Sequence, residues 1–132
     1  MAVITTKLTV SGNDTRNYAA SAAATLASAD SVLLTGLDPS FMHNFLGVKM
    51  YDVSGDEIVD SAGTFTVSYL SEVSGDPAGT ETGTFESPPV STIDATAPTS
   101  LCWKAPTVGI RVSAASLSDT VTWKVFFVSS KH

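Results

Sequence analysis

Four acidic residues, Asp52, Asp56, Glu57 and Asp60, fall within nine positions of the stretch MYDVSGDEIVD. Carboxylates this close together could bind a cation or act as a catalytic pair. An EF-hand loop does not fit, because counting from Asp52 the glycine is fourth rather than sixth and the twelfth residue is Gly63 rather than glutamate. A looser calcium site on the three aspartates stays open. We favour a hairpin turn, since Ser-Gly-Asp between two apolar alternating stretches is typical of a connection.

Few other residues in the chain could perform catalysis. Glu72, Glu81 and Glu86 fall at predicted strand ends or loops, with no spacing that indicates a glycosidase pair. Cys102 is the single cysteine, and we interpret it as a buried small hydrophobe; His43, the non-terminal histidine, is interpreted as a polar loop residue. The sequence has no GxSxG, HExxH, Walker or GxGxxG motif. We therefore predict that the protein is not an enzyme and uses neither cofactor nor metal.

The aromatic residues raise a different possibility, because sugar-binding modules present exposed Trp or Tyr rings for stacking. Trp123 alternates in phase with Val121 and Val125, which is the spacing of a core residue. Trp103 and Tyr51 have no such constraint and are the candidates for an exposed platform. A carbohydrate-binding or adhesin-type module is the alternative function that these residues leave open.

Composition excludes several classes of protein. The chain has 132 residues, of which 43% are apolar, and a net charge of −6, with its seven basic residues scattered rather than clustered. A nucleic-acid-binding footprint is therefore absent. The N-terminal stretch MAVITTKLTV alternates and lacks a signal-peptide pattern, and no apolar run is long enough to cross a membrane. A single cysteine suits folding in a reducing cytoplasm.

Most of the chain alternates apolar and polar residues with period two, as half-buried β-strands do. The clearest stretches are 64–70, 108–113 and 120–127, and we expect the last two to pair antiparallel. Weaker strand candidates lie at 31–35, 45–53, 57–60, 80–86 and 100–104. Together these stretches predict an all-β fold, an antiparallel β-sandwich of jelly-roll or immunoglobulin-like type that spans 1–132 as a single domain.

Three segments depart from this pattern or lie outside the predicted sandwich. Residues 15–28 are rich in alanine and carry apolar residues at helical spacing, which predicts one short helix, although Ala and Ser also fit an extended chain. Residues 1–10 alternate as a strand does, with Ile4, Leu8 and Val10 on one face, and form a candidate N-terminal arm. Residues 87–100 contain three prolines and many hydroxyl side chains, which predicts an ordered loop or extended arm with a contact role.

The last strand predicts self-association. Phe126 and Val128 fall on the face opposite Trp123, so both faces of this strand carry large apolar residues. An apolar outward face is covered either by another part of the same chain or by a second subunit. We favour a second subunit and assign Phe126 and Val128 to a subunit interface.

The order of these segments resembles that of the head decoration or cement proteins of tailed bacteriophages, over residues 31–129. The resemblance is carried by LGVKMYDVSGDEIVDSAGTFTVSYLS, then GTFESPP, then STIDATAPTSLCWKAPTVGIRVSAASLSDTVTWKVFFVSS. Its elements are a DxSG turn, an AGTFTV strand, a Thr/Pro-rich connection, an aromatic residue before APT, and the closing IRV and TWKVFF strands. Other virion parts, including tail and fibre components, use similar sandwiches.

The resemblance implies a non-enzymatic protein of the virion that folds in the host cytoplasm and binds the outside of an assembled capsid, commonly as a homotrimer. Its partners would be the major capsid protein and further copies of itself, with no nucleic acid and no membrane. Within 87–100 we assign Pro88, Pro89 and Ile93 to contacts with the capsid or a neighbour, together with the arm 1–10. A tail or fibre location stays open.

Overall fold

Alternating apolar and polar residues form two facing β-sheets in the computed structural model, so the predicted all-β sandwich is confirmed. The structure describes residues 5–9, 16–21, 31–35, 37, 41–71, 85–118 and 121–130. These residues contain no helix, and hence none that could span a bilayer. Their strands are β1 (Thr5–Thr9), β2 (Arg16–Ser21), β3 (Ser31–Thr35), β4 (His43–Tyr51), β5 (Glu57–Ile58), β6 (Thr64–Ser71), β7 (Thr92–Asp94), β8 (Leu101–Lys104), β9 (Thr107–Ala115) and β10 (Thr122–Ser130).

The first sheet has the order β1-β3-β9-β6-β7, and the second has the order β2-β10-β4-β5. Strand β8 also joins the second sheet, because it pairs with β4 at the end opposite to β5. The pairing is antiparallel except between β1 and β3, which run parallel. Apart from β4 and β5, neighbours in the sheets are far apart in sequence, as in a sandwich whose chain crosses repeatedly between its layers.

The inward faces of the two sheets share one hydrophobic core. Phe65 of β6 and Trp123 of β10 meet across the sandwich with ring centroids 5.1 Å apart, and neither side chain is exposed to solvent. Their burial follows from the period-two alternation of each strand, since every second side chain points into the core. The prediction that Trp123 is a core residue is confirmed.

The first sheet is covered on its outer face as well. Leu33 and Leu70 lie on the face opposite the main core, yet both are fully buried. Beside them the Arg111 guanidinium lies 3.9 Å from the centroid of the Phe85 ring. The chain around Phe85 therefore covers part of this face and places a cation against an aromatic ring.

The predicted helix over 15–28 is wrong for its first part. Residues 16–21 form β2, which pairs with the edge of β10 through Phe126 and Ser130. Alanine favours a helix and serine is close to neutral, but intrinsic propensity is weak compared with tertiary context, so pairing with an open strand edge overrides it. Residues 22–28 lie outside the described residues.

The expected hairpin between 108–113 and 120–127 is also wrong. Strand β9 pairs with β3 and β6 in the first sheet, whereas β10 pairs with β2 and β4 in the second. The connection turns at Ser116, whose φ is 62°, and then buries Leu117 between the layers. Six residues are enough to cross from one sheet to the other, so close neighbours in sequence need not pair.

The two predicted arms are partly integrated into the sandwich. Residues 5–9 form β1 in the first sheet, and Thr92–Asp94 form β7 at its other edge. Within 87–100 the side chains of Pro88 and Ile93 are buried in the chain itself. Their assignment to a contact surface therefore needs correction, because an interior side chain offers nothing to a partner. Of the strand candidate 80–86, residues 80–84 lie outside the described residues.

Candidate functional site

The outward face of the second sheet carries exposed apolar side chains. Val128 on β10 is paired with Phe45 on β4, and Phe126 is paired with Gly47. Phe45 is 45% exposed, and Phe126 and Val128 are half-buried. These side chains point outward because the alternate positions of both strands fill the core.

These residues form a groove of about 560 Å³, which we call the outer groove. It is lined by Phe45, Gly47, Lys49, Phe126 and Val128 from the sheet and by residues 98–100 from the neighbouring connection. A Cβ atom on Gly47 would lie 3.3 Å from Ser100 Oγ, so the glycine allows this connection to approach the sheet closely. The groove thus brings together Phe126, Val128 and the end of the predicted contact segment 87–100.

Lysines border the outer groove at the end near Tyr51. Lys49 and Lys124 are direct cross-strand partners, so two like charges face each other on one surface. Each cation lies over an aromatic ring: Lys49 Nζ is 5.1 Å from the Phe126 centroid, and Lys124 Nζ is 5.5 Å from the Tyr51 centroid. The rings offset part of the repulsion between the lysines.

Cys102 and His43 lie beyond the other end of the groove. Cys102 is exposed on β8 opposite Phe45, so the interpretation of it as a buried hydrophobe is wrong. His43 is exposed in β4 rather than in a loop, and its cross-strand partner is Lys104. Both side chains border one shallow depression together with Val128. No hydrogen bond joins Cys102 to His43, so the structure does not pair them as a nucleophile and its base.

The acidic stretch at 52–60 consists of a hairpin turn and, after it, the buried and hydrogen-bonded Asp60. The Asp52 side chain accepts hydrogen bonds from the backbone N–H groups of Ser54 and Asp56, and Gly55 has a φ of 86°. The hairpin prediction is confirmed, since Tyr51 pairs with Glu57 across the turn. Within the described part of the chain, no three His, Cys, Asp or Glu side chains are grouped to hold a metal ion.

Asp60 has a different role from the acids of the turn. Its side chain is only 6% exposed, and its two oxygens accept hydrogen bonds from Ser61 N at 2.8 Å and Ser118 N at 2.7 Å. Its backbone N–H donates to Ala95 O. Asp60 therefore links the hairpin by hydrogen bonds to the connection after β9 and to the residue after β7. Both oxygens of its carboxylate already accept hydrogen bonds within the chain.

Trp103 is not an exposed platform. Its side chain is 6% exposed, its ring stacks on Tyr69 at 5.7 Å between centroids, and its Nε1 donates to Thr107 Oγ1 at 3.3 Å. The prediction that it could stack on a sugar is therefore wrong. Tyr51 is half-buried beneath Lys124.

Sequence reasoning missed the most exposed member of the groove. Phe45 was not singled out, although it alternates with Asn44 and Leu46, which are buried. The signal was present: within β4 the residues 43, 45, 47, 49 and 51 share one face, and that face includes His43 and Lys49. Pro89 of the assigned contact residues is exposed, at the other end of 87–100.

Three comparisons place these observations among known proteins. The model of a family described as a domain of unknown function (DUF7265) matches residues 17–131. No curated protein matches the sequence. Among solved structures, PliG of Aeromonas hydrophila, a periplasmic inhibitor of g-type lysozyme, is 13% identical with a TM-score of 0.48 over 97% of this chain and 98% of that chain. The endospore appendages of Bacillus, a family of disulfide-linked pili, are 16% identical with a TM-score of 0.43 over 90% of each chain. Neither likeness indicates a function at these values.

Proposed function

The chain belongs to the DUF7265 family, and we propose that it is a non-enzymatic structural protein that binds the outer surface of a bacteriophage capsid as a homotrimer and stabilises it. The proposal rests on the resemblance to decoration proteins over residues 31–129. The observation that carries it is the outer groove, where Phe45, Phe126 and Val128 leave apolar surface open to solvent on a small sandwich. Surface of this kind is characteristic of protein contacts.

Segment 87–100 supplies the proposed contact with the shell. The backbone fixes it at both ends of β7, because Val67 N donates to Ser91 O at 2.7 Å and Ala95 N donates to Gly63 O at 3.0 Å. Before β7 the exposed apolar residues are Pro89 and Val90, and the Val90 side chain is 58% exposed. A rigid apolar edge loses little conformational entropy when it binds, which favours its use as a contact.

The proposed mechanism is stabilisation by linkage. A protein that binds the assembled shell but not its separated subunits lowers the free energy of the shell by an amount set by its affinity and concentration. Many weak copies therefore add up over a capsid without any chemical step. The rigid two-layer fold serves to hold the contact residues at fixed positions.

The test is co-sedimentation of the purified protein with empty shells assembled from the major capsid protein of the phage that carries the gene. We expect the protein to pellet with shells, to remain in the supernatant with unassembled capsid protein, and to raise the temperature at which shells dissociate. Absence of the protein from purified virions, measured by mass spectrometry, would contradict a virion role altogether.

Point variants locate the contact better than a deletion of 87–100, because such a deletion removes the buried Ile93 and unfolds the edge of the first sheet. We expect Pro89→Ser with Val90→Ser to weaken shell binding while the melting temperature of the free protein stays unchanged. The matched control is Val59→Ser, since Val59 is also 58% exposed but lies in the hairpin region. Equal shell binding by all three proteins would exclude 87–100 as the contact.

A further inference from the structure

The lysines at the edge of the outer groove indicate which kind of molecule could bind there. Lys49 and Lys124 face each other at its edge, and Lys104 lies on the same outward side of β8. None of the three lysines forms an ion pair in the described part of the chain. Two directly opposed cations are unfavourable in a sheet, and a nearby anion would relieve the part of the repulsion that the aromatic rings do not offset. On a chain with a net charge of −6, this face therefore fits an occupant that is both acidic and apolar.

The same chain carries a segment with that chemistry. Residues 52–57, which we call the hairpin tip, include Asp52, Asp56 and Glu57 and no basic residue. Val53 projects from the tip with 85% of its side chain exposed. The tip is rigid, because Asp52 accepts hydrogen bonds from Ser54 N and Asp56 N at 2.9 and 3.0 Å. A preorganised apolar residue surrounded by acids matches an apolar groove bordered by lysines.

We propose that the outer groove receives the hairpin tip of a second copy of this chain, with Val53 against Phe45 and Phe126 and the tip acids near Lys49 and Lys124. Asp52 and Val53 of the tip border one depression with Lys124 of their own chain, but the tip does not extend to Phe45 of that chain. Phe45 and Tyr51 alone are six positions apart along the extended β4, which is about 20 Å. The contact is therefore between molecules.

The charges also define the symmetry of the contact. If two copies met groove to groove, their lysines would face one another, which is unfavourable in a buried interface. A tip-in-groove contact uses two different surfaces of each copy. It closes either as a twofold pair in which both tips dock at once or, head to tail, as a ring such as the proposed trimer.

This inference deepens the self-association part of the proposed function and does not depend on a capsid. The first experiment is sedimentation velocity of the full chain over a concentration series. We expect an oligomer that dissociates on dilution, and Val53→Ser raises its dissociation constant at least about tenfold, because a buried valine is replaced by a polar residue. The matched control is Val59→Ser, since Val59 is 58% exposed and lies outside the tip residues 52–57, and this change leaves the constant unchanged.

A charge exchange gives the decisive result. Asp56→Lys with Glu57→Lys places cations on the tip, and Lys49→Glu with Lys124→Glu places anions at the groove. We expect each pair of changes to abolish the oligomer and the four changes together in one chain to restore it, since tip and groove are complementary again. Circular dichroism and the melting temperature verify that each variant is folded.

Three outcomes would overturn the inference: a wild-type protein that remains monomeric at every concentration, a Val53→Ser oligomer as tight as wild type, or folded four-change chains that stay monomeric. These outcomes are independent of the proposed function. A monomer that still pellets with shells keeps the capsid role without tip docking, whereas an oligomer that ignores shells keeps tip docking without the capsid role.

Discussion

The two sheets of this sandwich treat their outer faces in opposite ways. On the first sheet the outward residues Leu33 and Leu70 are completely buried, and Phe85 lies against Arg111. On the second sheet the outward Phe45 is 45% exposed. Both faces carry large apolar residues, so composition alone does not distinguish them.

The difference lies in what the chain does after each strand. Beyond β6 the chain returns past the first sheet, where Glu86 bridges to Tyr69 and brings Phe85 onto the outer face. Among the residues that the structure describes, the corresponding contribution on the second sheet comes from residues 98–100, which form a wall of the groove and leave its floor open. A face covered by its own chain stabilises the fold, and an uncovered apolar face is available for binding.

The largest expected effect is a difference in the free energy of unfolding between substitutions on the inward and outward sides of β10. Trp123→Ala should lower the free energy of unfolding by about 3–5 kcal/mol, because it leaves a cavity in the shared core. Phe126→Ala, three positions away on the outward side, should lower it by at most about 1 kcal/mol. Urea denaturation followed by tryptophan fluorescence, through Trp103 in the first variant, measures both at low protein concentration. Similar losses for both variants would mean that the outward side of β10 is covered after all.

The second prediction compares the stability lost when an outward apolar side chain is truncated on the first sheet and on the second sheet. Leu33→Ala should cost about 2–5 kcal/mol, since Leu33 is 0% exposed although it lies outside the main core. Val128→Ala should cost about 1 kcal/mol or less in the free protein, because the side chain is half-buried. Thermal unfolding by calorimetry compares the two under the same buffer. A Leu33→Ala protein as stable as Val128→Ala would show that the first sheet is not closed on its outer side.

Much of the fold was predictable from period-two alternation. The strands at 31–35, 64–70 and 100–104 are confirmed, and so is the hairpin across the DVSGDE turn. Alternation records which side of a strand is buried, which is a local property. Pairing is not local, and for this reason the hairpin expected between 108–113 and 120–127 was wrong. The Ala-rich stretch failed for a related reason, because only the free edge of β10 makes residues 16–21 a strand.

The candidate site was predictable in part. The outward positions of Phe126 and Val128 followed from their phase against Trp123, and the end of 87–100 does line the same groove. Ile93 could not be recognised as a core residue, because its neighbours are prolines and hydroxyl residues, and its burial depends on pairing with Phe65. Phe45 required knowing that the neighbouring surface stays open, which depends on the tertiary structure.

The third prediction concerns the two kinds of aspartate in the acidic stretch. Asp60→Asn should lower the free energy of unfolding by about 1–3 kcal/mol, because the amide keeps only one accepting oxygen and either Ser61 N or Ser118 N loses its acceptor. Asp56→Asn should change it by about 0.5 kcal/mol or less, since Asp56 is exposed at the tip. Chemical denaturation resolves this difference. Equal effects would contradict a stabilising role of the hydrogen bond from Ser118 N to Asp60.

The smallest predicted effect is a titration at the edge of the covered sheet, where β7 ends and the chain turns towards the outer groove. The backbone N–H of Thr96, followed by its hydroxyl, donates to Asp94 Oδ1 and lowers the pKa of the Asp94 carboxyl below its ordinary value. A depressed pKa means that these bonds favour the folded state above the pKa of the unfolded chain and that this contribution is lost as pH falls through the folded value. Thr96→Ala should raise the Asp94 pKa only part of the way, because the backbone N–H still donates. Carboxyl-carbon NMR titration measures it, and an unchanged pKa in Thr96→Ala would mean that the hydroxyl makes no contribution to the turn that leads into the groove wall.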